Sequence, residues 1–91
     1  MLKSRRVHGI KVREIIITGY RALSPDQIAS VCQMHVEDFL DMDKVQETTE
    51  AVHRLYVANG YPKASIVPQI RFKKRLGVSV AFNIVEGPQS P

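Results

Sequence analysis

Apolar residues along this chain fall into runs of two different periods, and the order of those runs predicts a fold. From Val12 to Thr18, Ile15 and Ile17 share one side of an extended chain and Ile16 takes the other. Three isoleucines in succession favour a strand that is largely covered, and Gly19-Tyr20 ends it. Ser24-Pro25-Asp26-Gln27 then reads as a helix start: serine caps, proline suits the first turn, and glutamine three residues on completes a capping box. Ile28, Val31 and Cys32 follow at helical spacing, and this short helix should fade near Met34 or His35. A longer helix begins after a cap at Asp41 or Asp43, with Val45, Thr49, Val52 and Tyr56 on one stripe that Thr48 and Leu55 widen. Glu50 and Arg54 are spaced for a weak exposed pair. Gly60 suits the left-handed position that closes a helix, and Pro62 prevents continuation.

The period then returns to two. Ala64, Ile66, Pro68, Ile70 and Phe72 alternate with Ser65, Val67, Gln69 and Arg71, which predicts a second strand. Pro68 cannot donate to a ladder, so this strand belongs at a sheet edge. Lys73 to Gly77 make a basic turn. The third strand, Val78 to Val85, sets Val78, Val80, Phe82 and Ile84 on one face, and Glu86-Gly87-Pro88 stops it. Two helices covering one face of a three-stranded mixed sheet in the order 2-3-1 satisfy these pieces, an α+β fold of βααββ type. The expected core is Ile15, Ile17, Ile28, Val31, Val45, Val52, Tyr56, Val78, Val80, Phe82 and Ile84. Residues 1–10 read as a tail or linker, 11–88 as one domain, and 89–91 as a tail.

Composition changes the picture in one respect. An apolar fraction of 44% and a charged fraction of 24% are ordinary globular values. The net charge of +4 is unevenly spread, with Lys3, Arg5, Arg6, Lys11, Arg13 and Arg21 at the front and Arg71, Lys73, Lys74 and Arg75 in one cluster. Acids concentrate from Glu37 to Glu50, so the domain should have a basic side able to attract nucleic acid, anionic headgroups or acidic proteins. No apolar run reaches the roughly 20 residues that span a bilayer. The basic start, Met1 to Arg6, precedes no apolar stretch of signal-peptide type, so any export signal is expected on a longer parent chain.

Candidate chemistry is thin. Cys32, the sole cysteine, reads as a small buried hydrophobe on a helix. Cys32 and His35 have a spacing that suits one helix face, but with only His8 and His53 besides, no zinc ligand set is completed. Cys32 lacks an orienting third group for nucleophilic catalysis, and the glycines form no phosphate cradle. No catalytic residue, metal site or cofactor is expected. Nucleic acid is the rival partner, through Arg71-Phe72-Lys73-Lys74-Arg75. However, RNA-binding sheets present two or more stacking aromatics, and the alternation puts Phe82 in the core. A helix-turn-helix reading fails because the second helix is acidic.

With these residues in view, the chain resembles the POTRA (polypeptide-transport-associated) domain over about residues 12 to 88. The resemblance rests on Val12 to Gly19, on Leu23-Ser24-Pro25-Asp26-Gln27-Ile28, on Tyr56 through Gly60-Tyr61-Pro62-Lys63-Ala64, and on Phe82-Asn83-Ile84-Val85-Glu86-Gly87-Pro88. The last two motifs look more like the outer-membrane barrel-assembly and secretion branch than the septal-division branch. Met34-His35-Val36-Glu37 departs from the pattern, since many members carry a glycine there. The resemblance implies a non-catalytic periplasmic module, tandem copies before a membrane barrel, and binding of unfolded outer-membrane clients or accessory chains. Strand addition at the second strand is the expected mode, through Ile66, Val67, Gln69, Ile70, Arg71 and Phe72. Lys73, Lys74 and Arg75 form a possible basic contact surface. A structural spacer, a division-type interaction domain and a small basic nucleic-acid-binding domain are the alternatives.

Overall fold

The computed structural model describes residues 6–90; Lys3 and Arg5 of the basic front, with the rest of residues 1–5 and Pro91, lie outside the described residues. The chain runs β1 (Arg6–Thr18), α1 (Pro25–Ala29), β2 (Phe39–Asp41), α2 (Met42–Ala58), β3 (Ser65–Phe72), a 3-10 turn (Lys74–Leu76) and β4 (Val78–Val85). The sheet order is β2-β1-β4-β3. Among the three expected strands the relation is as predicted: β4 is central, parallel to β1 and antiparallel to β3.

The sheet has four strands, however, not three. β1 starts at Arg6, inside the segment expected to be a tail, and its early part carries β2 antiparallel, with Arg6 opposite Asp41 and Lys11 opposite Phe39. A strand of three residues shows no period of its own. It exists because a long neighbour offers free backbone groups, and Val12 supplies two of them. Its N–H donates to the Asp38 carbonyl at 2.8 Å, and its carbonyl accepts from the Glu37 N–H at 2.7 Å. Glu37 reaches that position with φ +78, the left-handed region that glycine favours. A glutamate thus holds a glycine-favoured conformation inside the segment that departs from the resembled pattern.

The helix boundaries follow their caps. Ser24 Oγ accepts from the Gln27 N–H at 3.1 Å while Gln27 Oε1 accepts from the Ser24 N–H at 2.9 Å, the reciprocal box expected. α1 nevertheless ends at Ala29, so Val31, Cys32 and His35 lie beyond it rather than on a helix. Asp41 caps α2 by accepting from the Asp43 N–H at 3.0 Å. At the other end Gly60 has φ +90, and the Tyr61 N–H closes on the Tyr56 carbonyl at 2.9 Å.

The core lies between α2 and one face of the sheet. Val78, Val80, Phe82 and Ile84 from β4 meet Val45, Val52 and Tyr56 from α2, all buried. Each such side chain contributes about 1.5–3 kcal/mol through burial. Leu40 from β2 and Val12 are buried as deeply, an addition the sequence pattern does not reveal. Ile15, Ile17 and Val31, expected in the core, are only half-buried. The reason is the brevity of α1: past Ala29 no helix covers this side, and Ile15, Ile17, Cys32, Met34 and Val36 line an open cleft of about 300 Å³. On α2 the buried threonine is Thr48, which accepts from the Gln33 N–H at 3.0 Å, while Thr49 stands at the margin.

Candidate functional site

β3 ends the sheet, as its proline requires, and its backbone geometry defines what the edge offers. The Lys73 N–H donates to the Gly77 carbonyl at 2.7 Å, continuing the register that sets Phe72 opposite Val78. Opposed residues in an antiparallel pair alternate between bonded and non-bonded. With no register shift along β3, the peptide groups of Arg71, Gln69, Val67 and Ser65 turn toward β4. The Asn83 amide agrees, donating across the ladder to the Val67 carbonyl at 3.4 Å. Ile66, Pro68, Ile70 and Phe72 therefore turn their peptide groups away from the sheet. Pro68 sits at a position where its missing N–H costs the ladder nothing. The outward row consists of N–H groups at Ile66, Ile70 and Phe72 and carbonyls at all four residues.

The side chains of β3 are graded along its length. Ile66 is buried beneath α2 and Ile70 is half-buried, whereas Val67, Gln69, Arg71 and Phe72 are exposed. Beside the Ile66 end, Thr49, Glu50, His53 and Arg54 of α2 face Ala64, Ser65 and Ile66 across a groove of about 420 Å³. Glu50 accepts from Gln46 Nε2 at 3.3 Å and forms no ion pair with Arg54 among the described residues. The groove thus carries an acid, a base and a histidine over an apolar floor.

At the other end of β3 the basic turn is more structured than a flexible loop. Lys73 Nζ reaches Glu14 Oε1 at 2.8 Å, and Ser79 Oγ donates to the same oxygen at 3.2 Å. The hydrogen bond from Lys73, then that from Ser79, holds the Glu14 carboxyl below its ordinary range. Arg13 is also engaged, with Glu37 at 2.5 Å and through Nε with the Leu76 carbonyl. Lys11 lies over the Phe39 ring at 5.7 Å. Lys11, Arg13, Lys74 and Arg75 line one groove of about 220 Å³ with Phe72 and Leu76, so the front and rear basic clusters do meet.

A polar latch that the sequence analysis missed fastens the opposite end of the sheet. Glu86 Oε2 accepts from the Arg21 N–H at 2.7 Å, the Ala22 N–H at 2.8 Å and the Tyr56 hydroxyl at 2.7 Å. Burial works to raise the Glu86 pKa, but those donors and the Arg21 charge outweigh it and hold the carboxyl below its ordinary range. Burial, and then the adjoining carboxylate, push the Tyr56 hydroxyl upward. Tyr61 meets the Tyr56 ring edge-on at 5.9 Å. The only sequence signal was Glu86-Gly87-Pro88, which reads as a strand stop.

Cys32 Sγ donates to the Met34 carbonyl at 3.3 Å, and His35 Nδ1 lies 3.6 Å from Asp38 Oδ2. Among the described residues no three histidine, cysteine, aspartate or glutamate side chains gather as metal ligands. No helix among them is long and apolar enough to cross a membrane.

Comparison with known proteins bears on the whole fold. The chain superposes on the fourth POTRA domain of BamA from Haemophilus influenzae with a TM-score of 0.78 at 13% identity, covering 88% of this chain and 94% of that one. Against the BamA POTRA3-5 structure from the same organism the TM-score is 0.80 at 18% identity, over 98% of this chain and 39% of that one. Against POTRA1-2 of the periplasmic domain of Omp85 from Anabaena it is 0.68 at 19% identity, over 94% of this chain and 50% of that one. The chain thus spans about the length of one POTRA unit and well under two thirds of these multi-domain structures. No individually curated protein matches its sequence. The sequence profile of the POTRA family, described as a surface antigen variable number repeat, matches residues 10–87, from within β1 to the glycine after Glu86. A match over nearly the whole sheet and both helices makes this chain a member of the POTRA family.

Proposed function

We propose that this POTRA module is a non-catalytic docking domain that binds extended segments of client or accessory chains by strand addition along β3. The observation that carries this reading is the outward row of Ile66, Pro68, Ile70 and Phe72 backbone groups on an eight-residue edge. Backbone pairing asks little of sequence, which suits partners such as unfolded outer-membrane strands that share alternation and not identity. The α2–β3 groove beside Ile66 adds side-chain selection, with Glu50, His53 and Arg54 reading polar groups and Ile66 an apolar one. Family membership and the likeness to a periplasmic Omp85 fragment support a periplasmic setting, beside further POTRA units of an outer-membrane protein.

An NMR titration with an alternating apolar–polar peptide tests this. Amide signals of Ile66, Ile70 and Phe72 should move most, with a Kd on the order of 0.1–1 mM, because an ordered short strand must offset its own chain entropy. Ile70→Pro removes an outward donor and leaves the β4 ladder intact, so binding should weaken more than in Ile70→Ala, which loses the same core packing and keeps the N–H. Shifts confined to Lys73–Arg75 and abolished by modest salt would show plain charge attraction and sink the docking reading.

A further inference from the structure

The groove at the basic turn is remote from the α2–β3 groove and shares no lining residue with it. Two large apolar side chains stand open here, Phe72 at 68% exposure and Leu76 at 65%. Leu76 lies on the short 3-10 turn itself, between Arg75 and Gly77, where neither core nor ladder requires it. Lys74 adopts φ +49, so the turn holds a left-handed non-glycine residue to present this sequence. The local acids are already engaged, Glu14 with Lys73 and Glu37 with Arg13. Among the described residues no acid pairs with Lys74 or Arg75, which stand beside Lys11 on the groove wall.

From this juxtaposition we infer that the β3–β4 turn is a membrane-surface contact: Leu76 and Phe72 enter the headgroup layer of an anionic bilayer while Lys74, Arg75 and Lys11 bind its phosphates. Charge complementarity selects the partner. A cluster of cations alone fits any polyanion, but cations ringing two exposed apolar side chains fit a surface that is anionic outside and hydrocarbon just beneath. Nucleic acid would use the cations and one ring, and would gain nothing from Leu76. An acidic protein would need a matching apolar pocket for both side chains. This contact shares Phe72 with the β3 edge, using its side chain where strand addition uses its backbone, and it would orient that edge relative to a bilayer.

Flotation of the 91-residue chain with vesicles tests the inference. Vesicles containing about one third phosphatidylglycerol should carry the protein at low salt, and pure phosphatidylcholine vesicles should not. Each cation at an anionic surface is worth about a fivefold change in partitioning, so K74E/R75E should lower it at least about 20-fold. Leu76→Ser, on an exposed turn, should leave the melting curve unchanged and lower partitioning about three- to tenfold at constant charge. Failure to float on anionic vesicles at about 50 mM salt overturns the contact. Equal partitioning of Leu76→Ser and wild type also overturns it, as does DNA or an acidic peptide bound as tightly as vesicles, since charge alone then explains the turn. The peptide titration of β3 is read on Ile66 and Ile70, which the membrane contact does not use, so either proposal can fail without the other.

Discussion

The two edges of this sheet are built on opposite plans. β3 presents eight residues, with alternate peptide groups turned outward and a groove at its side, whereas β2 presents three and runs straight into the cap of α2. Leu40 on the short edge is buried, so β2 is fastened by its side chain as much as by its ladder. β3 is exposed at both of its ends and buries only Ile66. The difference teaches that openness at an edge is set by where the core lies beneath it, and that a long edge is tolerable only with a device such as Pro68.

Substitutions can break that comparison or sharpen it. The largest effect belongs to Phe82→Ala, which empties a fully buried site on the central strand and should cost about 3–5 kcal/mol. Both edges hang from β4 and β1, so hydrogen exchange should rise together in β2 and β3. Two separate denaturation transitions would mean that the edges are independent units.

Next comes the latch at the end of β4. Tyr56→Phe removes a hydroxyl that donates to a carboxylate from a fully buried ring, and should cost about 1.5–3 kcal/mol. The pH dependence has a definite sign. Glu86 is held below its ordinary value of 4.5, so its stabilisation is complete above that value and fades as pH falls through the lower folded value. Acid titration of the melting temperature should show this loss, and Glu86→Gln should shrink it to the part that Glu14 contributes. A wild-type profile with no acid limb would remove the latch from the account.

Gly60→Val probes the approach to β3 alone. The site has room, since a Cβ there would meet the Gln89 side chain only at 3.5 Å, but φ is +90 and a β-branched residue is strained. The cost should be about 1–3 kcal/mol, with amide exchange rising in β3 before β2. An unaltered melting curve would show that the chain leaves α2 by another route. The smallest change is Glu37→Gly near β2. Relief of the left-handed backbone competes with loss of an exposed ion pair to Arg13, so the variant should be stabilised by about 0–1 kcal/mol. A loss greater than that would give the ion pair the larger role.

The sequence made visible whatever is local. Ser24 to Gln27 announced a capping box, Gly60 a helix end, and Val78 to Val85 a strand whose bounds match residue for residue. Pro68 alone put β3 at the rim. What escaped depends on partners far apart along the chain. β2 has too few residues for a period, and its existence hangs on β1 reaching back to Arg6. Thr48 rather than Thr49 is buried because Gln33 arrives over it from outside α2. The Tyr56–Glu86 bond joins positions 30 residues apart that each have a sufficient local explanation. The candidate site divides in the same way: the edge strand could be named beforehand, but the direction each peptide group faces, inward at Val67, Gln69 and Arg71, required the Lys73–Gly77 bond.

The brevity of β2 also governs how copies of this chain behave toward one another at high concentration. Open-ended polymerisation needs two adhesive sides on every subunit, so that each arrival leaves a fresh binding face behind. Here β3 is one long side, while on the other side Phe39 to Asp41 covers only the early part of β1 and leaves residues 13–18 with no strand outside them among the described residues. Two molecules meeting through β3 consume both β3 edges, with a missing donor at each Pro68. Pairing through β3 thus uses up that edge on both molecules, and any longer assembly would have to grow from β1 beyond Val12.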